Sequence, residues 1–140
     1  MKKISFVIAL LVLLADALPA QQTASPLNGT WKLISASGNI LKNIPESQTP
    51  QLSFETGANA VTGFTGCNRM SGQFTVDKDQ LTLGPIITTK KACENMEIEM
   101  AVGKFLVNVG FYKIEQDKLY LYDKADRNSY LLFSRMNETI

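Results

Sequence analysis

The two cysteines, Cys67 and Cys93, are the residues of this 140-residue chain whose chemistry is easiest to define. They lie far apart in the sequence, so they do not form the Cys-x-x-Cys motif of dithiol oxidoreductases. Two cysteines in an exported protein permit one intramolecular bridge, and such a bridge would stabilise a small domain by about 3 to 4 kcal/mol. The sequence therefore predicts a disulfide. A reactive dithiol and a pair of buried free thiols are the alternatives.

The chain contains no histidine. This composition excludes Ser-His and Cys-His nucleophile pairs, histidine metal ligands and imidazole acid-base catalysis. Paired carboxylates remain formally available, but the candidate aspartates fall where turns are expected. We therefore expect a protein that is not an enzyme and that binds no cofactor and no metal. The candidate aspartates are Asp77, Asp79, Asp117 and Asp123.

The N-terminal segment has the pattern of a secretory signal peptide. Two lysines follow Met1, and residues 4–14 are apolar except for Ser5. The apolar run ends at Asp16, too early for a membrane-spanning helix, although a retained anchor is the alternative. Cleavage is expected after Ala20 or, as the second choice, after Ala17. No cysteine lies nearby for lipid attachment, so the sequence predicts an exported protein, periplasmic or secreted, without a stable membrane anchor.

The charge of the remaining chain argues against two classes of partner. Loss of residues 1–20 removes Lys2, Lys3 and Asp16, so 14 basic and 13 acidic residues become 12 of each. A neutral chain with scattered charges lacks the basic surface that nucleic acid or anionic lipid would require. Its length suits one domain. We assign 1–20 to the signal peptide, 21–26 to a short linker, 27–135 to the domain and 136–140 to a tail.

Short strands separated by turns are indicated from Trp31 onward. Trp31 and Leu33 share one face of the first strand, and Trp31 is expected to anchor the core. Residues 74–83 resemble residues 112–121, which predicts two β-hairpins of like register, each with a four-residue polar loop. Duplication and convergence both explain this similarity. Further strands are predicted at 52–54, 60–64, 118–122 and 130–133.

One helix is predicted at about residues 95–109, because apolar residues recur there at three- and four-residue steps. Asn95 is the expected N-cap, Glu97 and Glu99 complement the positive end of the helix dipole, and Gly110 follows the last turn. The apolar stripe is expected to pack on the sheet. It consists of Ile98, Ala101, Val102, Phe105, Leu106 and Val109.

The pattern Gly-x-x-Gly-Cys-Asn-x-x-x-Gly-x-aromatic at residues 63–74 resembles the signature of the META domain family of HslJ-like bacterial heat-shock proteins. Residues 27–31 and 89–93 resemble two further segments of that family. Lys91 and Glu94 depart from the family pattern, which leaves the start of the helix undefined. The motif residues carried over are Gly63, Gly66, Cys67, Asn68, Arg69, Gly72, Phe74, Thr89 and Cys93.

The resemblance implies an α+β, β-rich single domain with a curved or barrel-like antiparallel sheet and one packed helix. It also implies an association with stress tolerance in exported or envelope proteins and no common catalytic activity. In the motif, Gly66 and Gly72 would permit positive φ, Asn68 would bond the backbone of its own turn, and Cys67 would anchor the bridge. Gly63, inside a predicted strand, indicates a bulge or a close backbone approach. Arg69 has no such role, and it is expected either to pair with an acidic neighbour or to face a ligand or partner.

Two functions follow as expectations. The first is a non-catalytic interaction or protective module of the cell envelope that acts under stress on an unknown protein partner. The alternative is a lipocalin-like carrier of a small apolar ligand, because Gly29-x-Trp31 is similar to the opening of that family and a curved sheet can enclose a pocket. An enzyme ranks third, and nucleic acid is not an expected partner.

Overall fold

A computed structural model describes residues 24–38 and 41–137. The predicted signal peptide, residues 21–23 of the linker and residues 138–140 of the tail lie outside the described residues. The described chain contains nine strands, one α-helix and a short 3-10 helix at Glu46–Gln48. The strands are β1 Gly29–Ala36, β2 Gln51–Glu55, β3 Ala60–Phe64, β4 Arg69–Asp77, β5 Gln80–Leu83, β6 Ile87–Thr88, β7 Val109–Glu115, β8 Lys118–Asp123 and β9 Tyr130–Arg135; the helix is α1 Glu97–Leu106.

Eight of the strands close into an antiparallel barrel. Strands β1 to β4 each pair with the next along the chain, and β9 pairs with the other side of β1. The ring continues through β5, β7 and β8. β6 extends the edge of β4 beyond the point where β5 ends. The predicted fold class, a β-rich α+β domain with a barrel-like sheet and one helix, is confirmed.

Side chains fill the interior of the barrel. Residues that alternate along the barrel strands point inward, as the two-residue period of a strand requires, and helix α1 adds four buried side chains to the same cluster. Trp31, Leu52, Val61 and Phe133 are each 0% exposed. The other members of the cluster include Leu33, Phe54, Met70, Phe74, Leu81, Leu119, Leu121, Leu131, Ile98, Val102, Phe105 and Leu106.

Trp31 joins the first strand of the barrel to the last. Its indole Nε1 donates a hydrogen bond of 3.0 Å to the carbonyl of Leu27. The guanidinium of Arg135, at the end of β9, lies 4.1 Å from the centre of the indole ring and donates to the carbonyls of Asn28 and Pro26. This cation–π stack and its hydrogen bonds cover the ring and bind the segment that precedes β1. The predicted role of Trp31 as a core residue agrees with this burial.

The two similar segments form hairpins of the same register. Phe74 pairs with Leu83 as Tyr112 pairs with Leu121, and the same offset holds along both hairpins. The expectation of four-residue loops is wrong, because pairing continues to Asp77–Gln80 and to Glu115–Lys118. Two-residue turns remain, and in both of them the first residue, Lys78 or Gln116, has a positive φ.

Helix α1 is shorter than the predicted range of about 95–109. Its N-cap is Met96, and Asn95 instead accepts a hydrogen bond at Oδ1 from the backbone N–H of Glu97, at 2.9 Å. Val109 is the first residue of β7, where its side chain is buried, and it is not part of the apolar stripe of the helix. Gly110 also lies in β7 instead of capping the helix.

Within the part of the chain that the structure describes, no helix has the length and apolar character needed to cross a membrane.

Candidate functional site

Cys67 and Cys93 are joined in a disulfide, with their Cα atoms 6.1 Å apart. Cys67 lies in the turn between β3 and β4, which we call the motif turn (residues 65–68), and Cys93 lies in the segment that leads into helix α1. The bridge therefore attaches this segment to the barrel. The predicted disulfide is confirmed, and neither the dithiol nor the free-thiol alternative holds.

The motif turn binds the carboxylate of Glu99, which projects from the first turn of helix α1. One oxygen, Oε2, accepts hydrogen bonds from the hydroxyl of Thr65 at 2.6 Å and from the backbone N–H groups of Cys67 at 3.0 Å and Asn68 at 3.2 Å. Thr65 and Asn68 are themselves buried. Three donors that converge on one charged oxygen form a strong, oriented contact. The carboxylate thus fastens the helix to the turn.

This arrangement lowers the pKa of Glu99. Desolvation by burial is the largest single influence and raises the pKa, but the hydrogen bonds from Thr65, Asn68 and Cys67 together outweigh it. A folded-state pKa below the unfolded value means that the contact stabilises the fold fully above the ordinary glutamate pKa of about 4.3. The stabilisation is lost as the pH falls through the lower folded-state pKa.

Replacing Glu99 by glutamine is expected to lower the free energy of unfolding at pH 7 by about 1 to 3 kcal/mol, because the charge-assisted bonds to the motif turn are lost. Urea unfolding followed by circular dichroism measures the change. Glu97→Gln is the matched control, since Glu97 is exposed in the same helical turn and carries the same charge. The difference in free energy of unfolding between wild type and Glu99→Gln should narrow below about pH 4. A difference that is equal at pH 7 and pH 3 would contradict the assigned role.

The side chain of Asn68 bonds a different segment of the chain. Its Oδ1 accepts from the hydroxyl of Thr89 at 2.8 Å and from the backbone N–H of Lys91, and its Nδ2 donates to the carbonyl of Lys91 at 3.3 Å. The expectation that Asn68 would bond the backbone of its own turn is therefore wrong. Its amide instead holds the extended segment between β6 and helix α1 in the way that another strand would.

The glycines of the motif have two different roles. Gly66 has φ +123°, and a Cβ there would lie 2.9 Å from Cγ2 of Ile98, so only glycine allows helix α1 to approach the turn. Gly72 does not have positive φ, contrary to expectation, whereas Gly63, which also lacks it, shows the close backbone approach predicted for it. A Cβ at Gly63 would lie 2.3 Å from the carbonyl oxygen of Gln51, and one at Gly72 would lie 3.0 Å from that of Pro85. These two positions need glycine for close backbone approach.

Arg69 is the motif residue whose side chain is not used in holding the fold. It is exposed, and it forms no ion pair with another described residue. Its side chain lies between two depressions on the outer surface, of about 610 Å³ and about 560 Å³, which share Phe64 and Arg69 as lining residues. The expectation that Arg69 pairs with an acidic neighbour is therefore not met among the described residues.

The first depression lies on the outer face of β1–β4. Its floor includes a row of hydroxyl side chains, because Thr30 pairs with Ser53 and Ser53 pairs with Thr62. The second depression is lined by Thr89, Lys90 and Lys91, beside the disulfide. We call the two depressions together the Arg69 groove; its remaining lining residues are Gln51, Gly63, Phe64, Cys67 and Met70.

The other predicted site residues do not join the groove. Phe74 is buried in the core, where its ring meets that of Phe54 edge-on at 5.3 Å, and Trp31 lies inside the barrel beside Arg135. Asp79 and Asp117 lie in turns, as expected, whereas Asp77 and Asp123 are the last residues of β4 and β8. Asp79 pairs with Arg127, and Asp123 accepts from the backbone N–H of Ala125 at 2.7 Å. Among the described residues, no group of three or more acidic or cysteine side chains is placed to hold a metal ion.

Sequence reasoning missed two residues that organise the site, Glu99 and Thr65, and a third, Arg135, that covers Trp31 away from the groove. Glu99 and Thr65 bond each other across the helix–turn contact, yet they are distant in sequence, and Glu99 was explained by the helix dipole alone. Arg135 gave no signal, because an arginine near the end of a strand is ordinary. A glutamate in the first turn of a helix that follows a cysteine was the one available hint.

The class of this domain is defined by a closed eight-stranded barrel whose motif turn is bound to helix α1 by a glutamate and to the segment before the helix by a disulfide. The model of the META domain matches residues 23–137, which is most of the chain. The chain therefore belongs to the META domain family, and the resemblance found in its motif is confirmed.

Two solved structures share the fold. A protein from Burkholderia xenovorans, determined by NMR, is 22% identical, with a TM-score of 0.65 over 80% of this chain and 85% of that one. A DUF4847 family protein from Bacteroides vulgatus, determined by crystallography, is 14% identical, with a TM-score of 0.57 over 79% of this chain and 96% of that one. No curated protein matches the chain.

Proposed function

We propose that this chain is an exported, non-catalytic META-domain protein that acts as an interaction module of the cell envelope under stress. The proposal rests on a difference between Arg69 and the other residues of the motif. Cys67, Asn68 and Gly66 are used in attaching helix α1 and residues 89–93 to the barrel, whereas Arg69 is left exposed on a groove. A rigid scaffold that presents one uncommitted arginine suits binding better than turnover.

The disulfide fits an exported protein, because such bonds persist in oxidising compartments. The carboxylate with the lowered pKa, Glu99, has one oxygen bound by three donors, so it serves as an anchor and is not poised to take a proton at neutral pH. Asp79 is held by Arg127 at the exposed end of a hairpin. These assignments support a non-catalytic role.

The barrel is compatible in general with a carrier of a small apolar ligand. Carrier sites are concave and bury most of the ligand. Here Trp31, the residue that suggested this alternative, occupies the interior with its ring 0% exposed, and the depressions beside Arg69 are on the outer surface. We therefore do not favour the carrier function.

Crosslinking in intact cells tests the proposal. The tagged protein, expressed from its own promoter, would be crosslinked with and without heat or oxidative stress, and captured partners would be compared with those of an unrelated exported protein of similar size. We expect a specific envelope partner that increases under stress, and a deletion strain that is more sensitive to the same stress. Absence of both effects would remove the basis for the proposal, and turnover of a substrate by the purified protein would replace it.

A further inference from the structure

The Arg69 groove is basic although the chain as a whole has a net charge of only +1. Arg69, Lys90 and Lys91 line it, and no acidic side chain does. The carboxylate of Glu99 is bound by the motif turn, and the nearest other acid, Glu55, lies in an adjoining depression beyond the hydroxyl row, away from the lysines. Three cations that face one groove create a local positive potential that attracts an anionic partner.

The shape of the groove suits an extended segment better than a small anion. Its first part crosses four neighbouring strands, β1 to β4. Three spacings of about 4.8 Å give roughly 14 Å, the length of about four extended residues. The second part, beside Lys90 and Lys91, adds further length at the cationic end. Both parts are open surface depressions, whereas sites for small molecules enclose most of their ligand.

The lining of the groove changes in character along its length. Arg69 and the two lysines form the cationic end. Phe64, half-buried between the two parts, offers an apolar contact. The hydroxyls of Thr30, Ser53 and Thr62 form the polar end, where they can bond a peptide backbone or polar side chains. Arginine is well suited to bind carboxylates in pairs of parallel hydrogen bonds.

We propose that the Arg69 groove binds an acidic peptide segment of a partner protein, with carboxylates against Arg69, Lys90 and Lys91 and an apolar residue against Phe64. This inference rests on the proposed interaction function and names its partner chemistry. Recognition of acidic motifs by clustered cations is a known mode of peptide binding. Arg69 supplies the oriented contact, and the lysines supply attraction that weakens with salt.

A labelled octapeptide of defined composition tests the proposal. The probe is capped at both ends and consists of three glutamates, one leucine and four alternating glycines and serines. Fluorescence polarisation at low salt would measure its binding to the oxidised protein. We expect saturable binding that is lost when glutamine replaces the three glutamates, and that weakens as the salt concentration rises.

Arg69→Gln is the decisive variant, since the side chain is exposed and no described contact depends on it. We expect it to weaken binding of the acidic octapeptide at least about fivefold, the loss of one oriented charge contact. The double variant Lys90→Gln/Lys91→Gln should weaken binding about as much. Lys104→Gln/Lys124→Gln is the matched control, because these exposed lysines line neither part of the groove, and its binding should stay within about twofold of wild type. Urea unfolding confirms that all variants are folded.

Other anionic partners provide the contrary outcomes. Trigalacturonate, which carries the same number of carboxylates, and vesicles containing phosphatidylglycerol would be measured in parallel. If either binds more tightly than the acidic octapeptide and shows the same dependence on Arg69, the partner would be an acidic polysaccharide or a membrane surface, and the peptide proposal would be overturned. Octapeptide binding that is unchanged in Arg69→Gln would also overturn the proposal.

Crosslinking of Arg69→Gln in cells separates this inference from the function on which it rests. Capture of the same stress-dependent partner by wild type and by Arg69→Gln would refute the groove as its binding site and leave the interaction function standing. Absence of any partner for the wild-type protein, together with unchanged stress sensitivity of the deletion strain, would refute the interaction function itself.

Discussion

Replacing Trp31 by alanine is expected to lower the free energy of unfolding by about 3 to 5 kcal/mol, the usual loss for a buried tryptophan. The ring is 0% exposed and fills the interior where the first and last strands meet. Its removal leaves a cavity, breaks the hydrogen bond to Leu27 and exposes the guanidinium of Arg135 to an empty space. A domain of this size has about 5 to 15 kcal/mol of stability, so the variant would be close to its limit.

Far-UV circular dichroism should follow the urea unfolding of this variant, because Trp31 is the one tryptophan of the chain and its fluorescence is lost with it. Arg135→Lys tests the stack on the indole by keeping the charge and removing the planar group. Arg127→Lys is the matched control, since Arg127 stacks on Phe111 at 3.5 Å but is exposed. We expect Arg135→Lys to lower the free energy of unfolding by more than Arg127→Lys does. A loss below about 1 kcal/mol for Trp31→Ala would show that the ring is not a core anchor.

Removal of the disulfide by Cys67→Ala/Cys93→Ala is expected to cost about 3 to 4 kcal/mol, the chain entropy of a loop of this length. The bridge closes a loop of sequence separation 26 that contains all of β4, β5 and β6. Without it, Glu99 and Asn68 still attach helix α1 and residues 89–91 to the motif turn. We therefore expect a folded protein whose urea midpoint is markedly lower.

A double-mutant cycle with Glu99→Gln extends the disulfide experiment. The disulfide and Glu99 fasten neighbouring parts of the chain to the same turn. The decreases in free energy of unfolding that follow from removing each of them should therefore not be additive. Each variant is measured by urea unfolding at pH 7, and reduction of the wild-type protein provides an independent route to the unbridged state. An unfolding midpoint that reduction does not change would contradict the stabilising role of the bridge.

The elements of this fold were predictable where local pattern decides structure. Alternation of apolar residues placed β1 at Trp31 and Leu33, and the similarity between residues 74–83 and 112–121 gave two hairpins of the observed register. The helix was found with its buried face correct, but its end was placed too late. Val109 continued the helical period although it is buried as the first residue of a strand. Burial alone does not distinguish these two structures.

Closure of the barrel could not be derived from the residues alone. The pairings of β5 with β7 and of β1 with β9 join segments far apart in sequence, and no local pattern specifies them. β6 has two residues, both exposed, so it has no apolar alternation to detect. The general shape came instead from the family resemblance, which the closed barrel and the family match confirm.

The candidate site was predicted in part. The disulfide followed from the residue types and the expected export, and the uncommitted arginine followed from its lack of a role in a turn. The bond between Glu99 and the motif turn was not predictable, because a glutamate in the first turn of a helix already has an adequate local explanation. The groove itself depends on residues from four strands and from the segment at 89–91, and only the folded chain brings them together.

The pairing of β1 with β9 places the two ends of the described domain side by side. The guanidinium of Arg135 donates to the carbonyl of Asn28, and the backbone N–H of Met136 donates to the carbonyl of Thr30. The ring of strands is therefore continuous in space although the polypeptide is linear. A short linker could join the ends and new termini could be opened at the Lys78–Asp79 turn without breaking any strand pairing, so the order in which the strands occur along the chain is not a requirement of the barrel. A circularly permuted form of this kind would keep both the disulfide and the Arg69 groove.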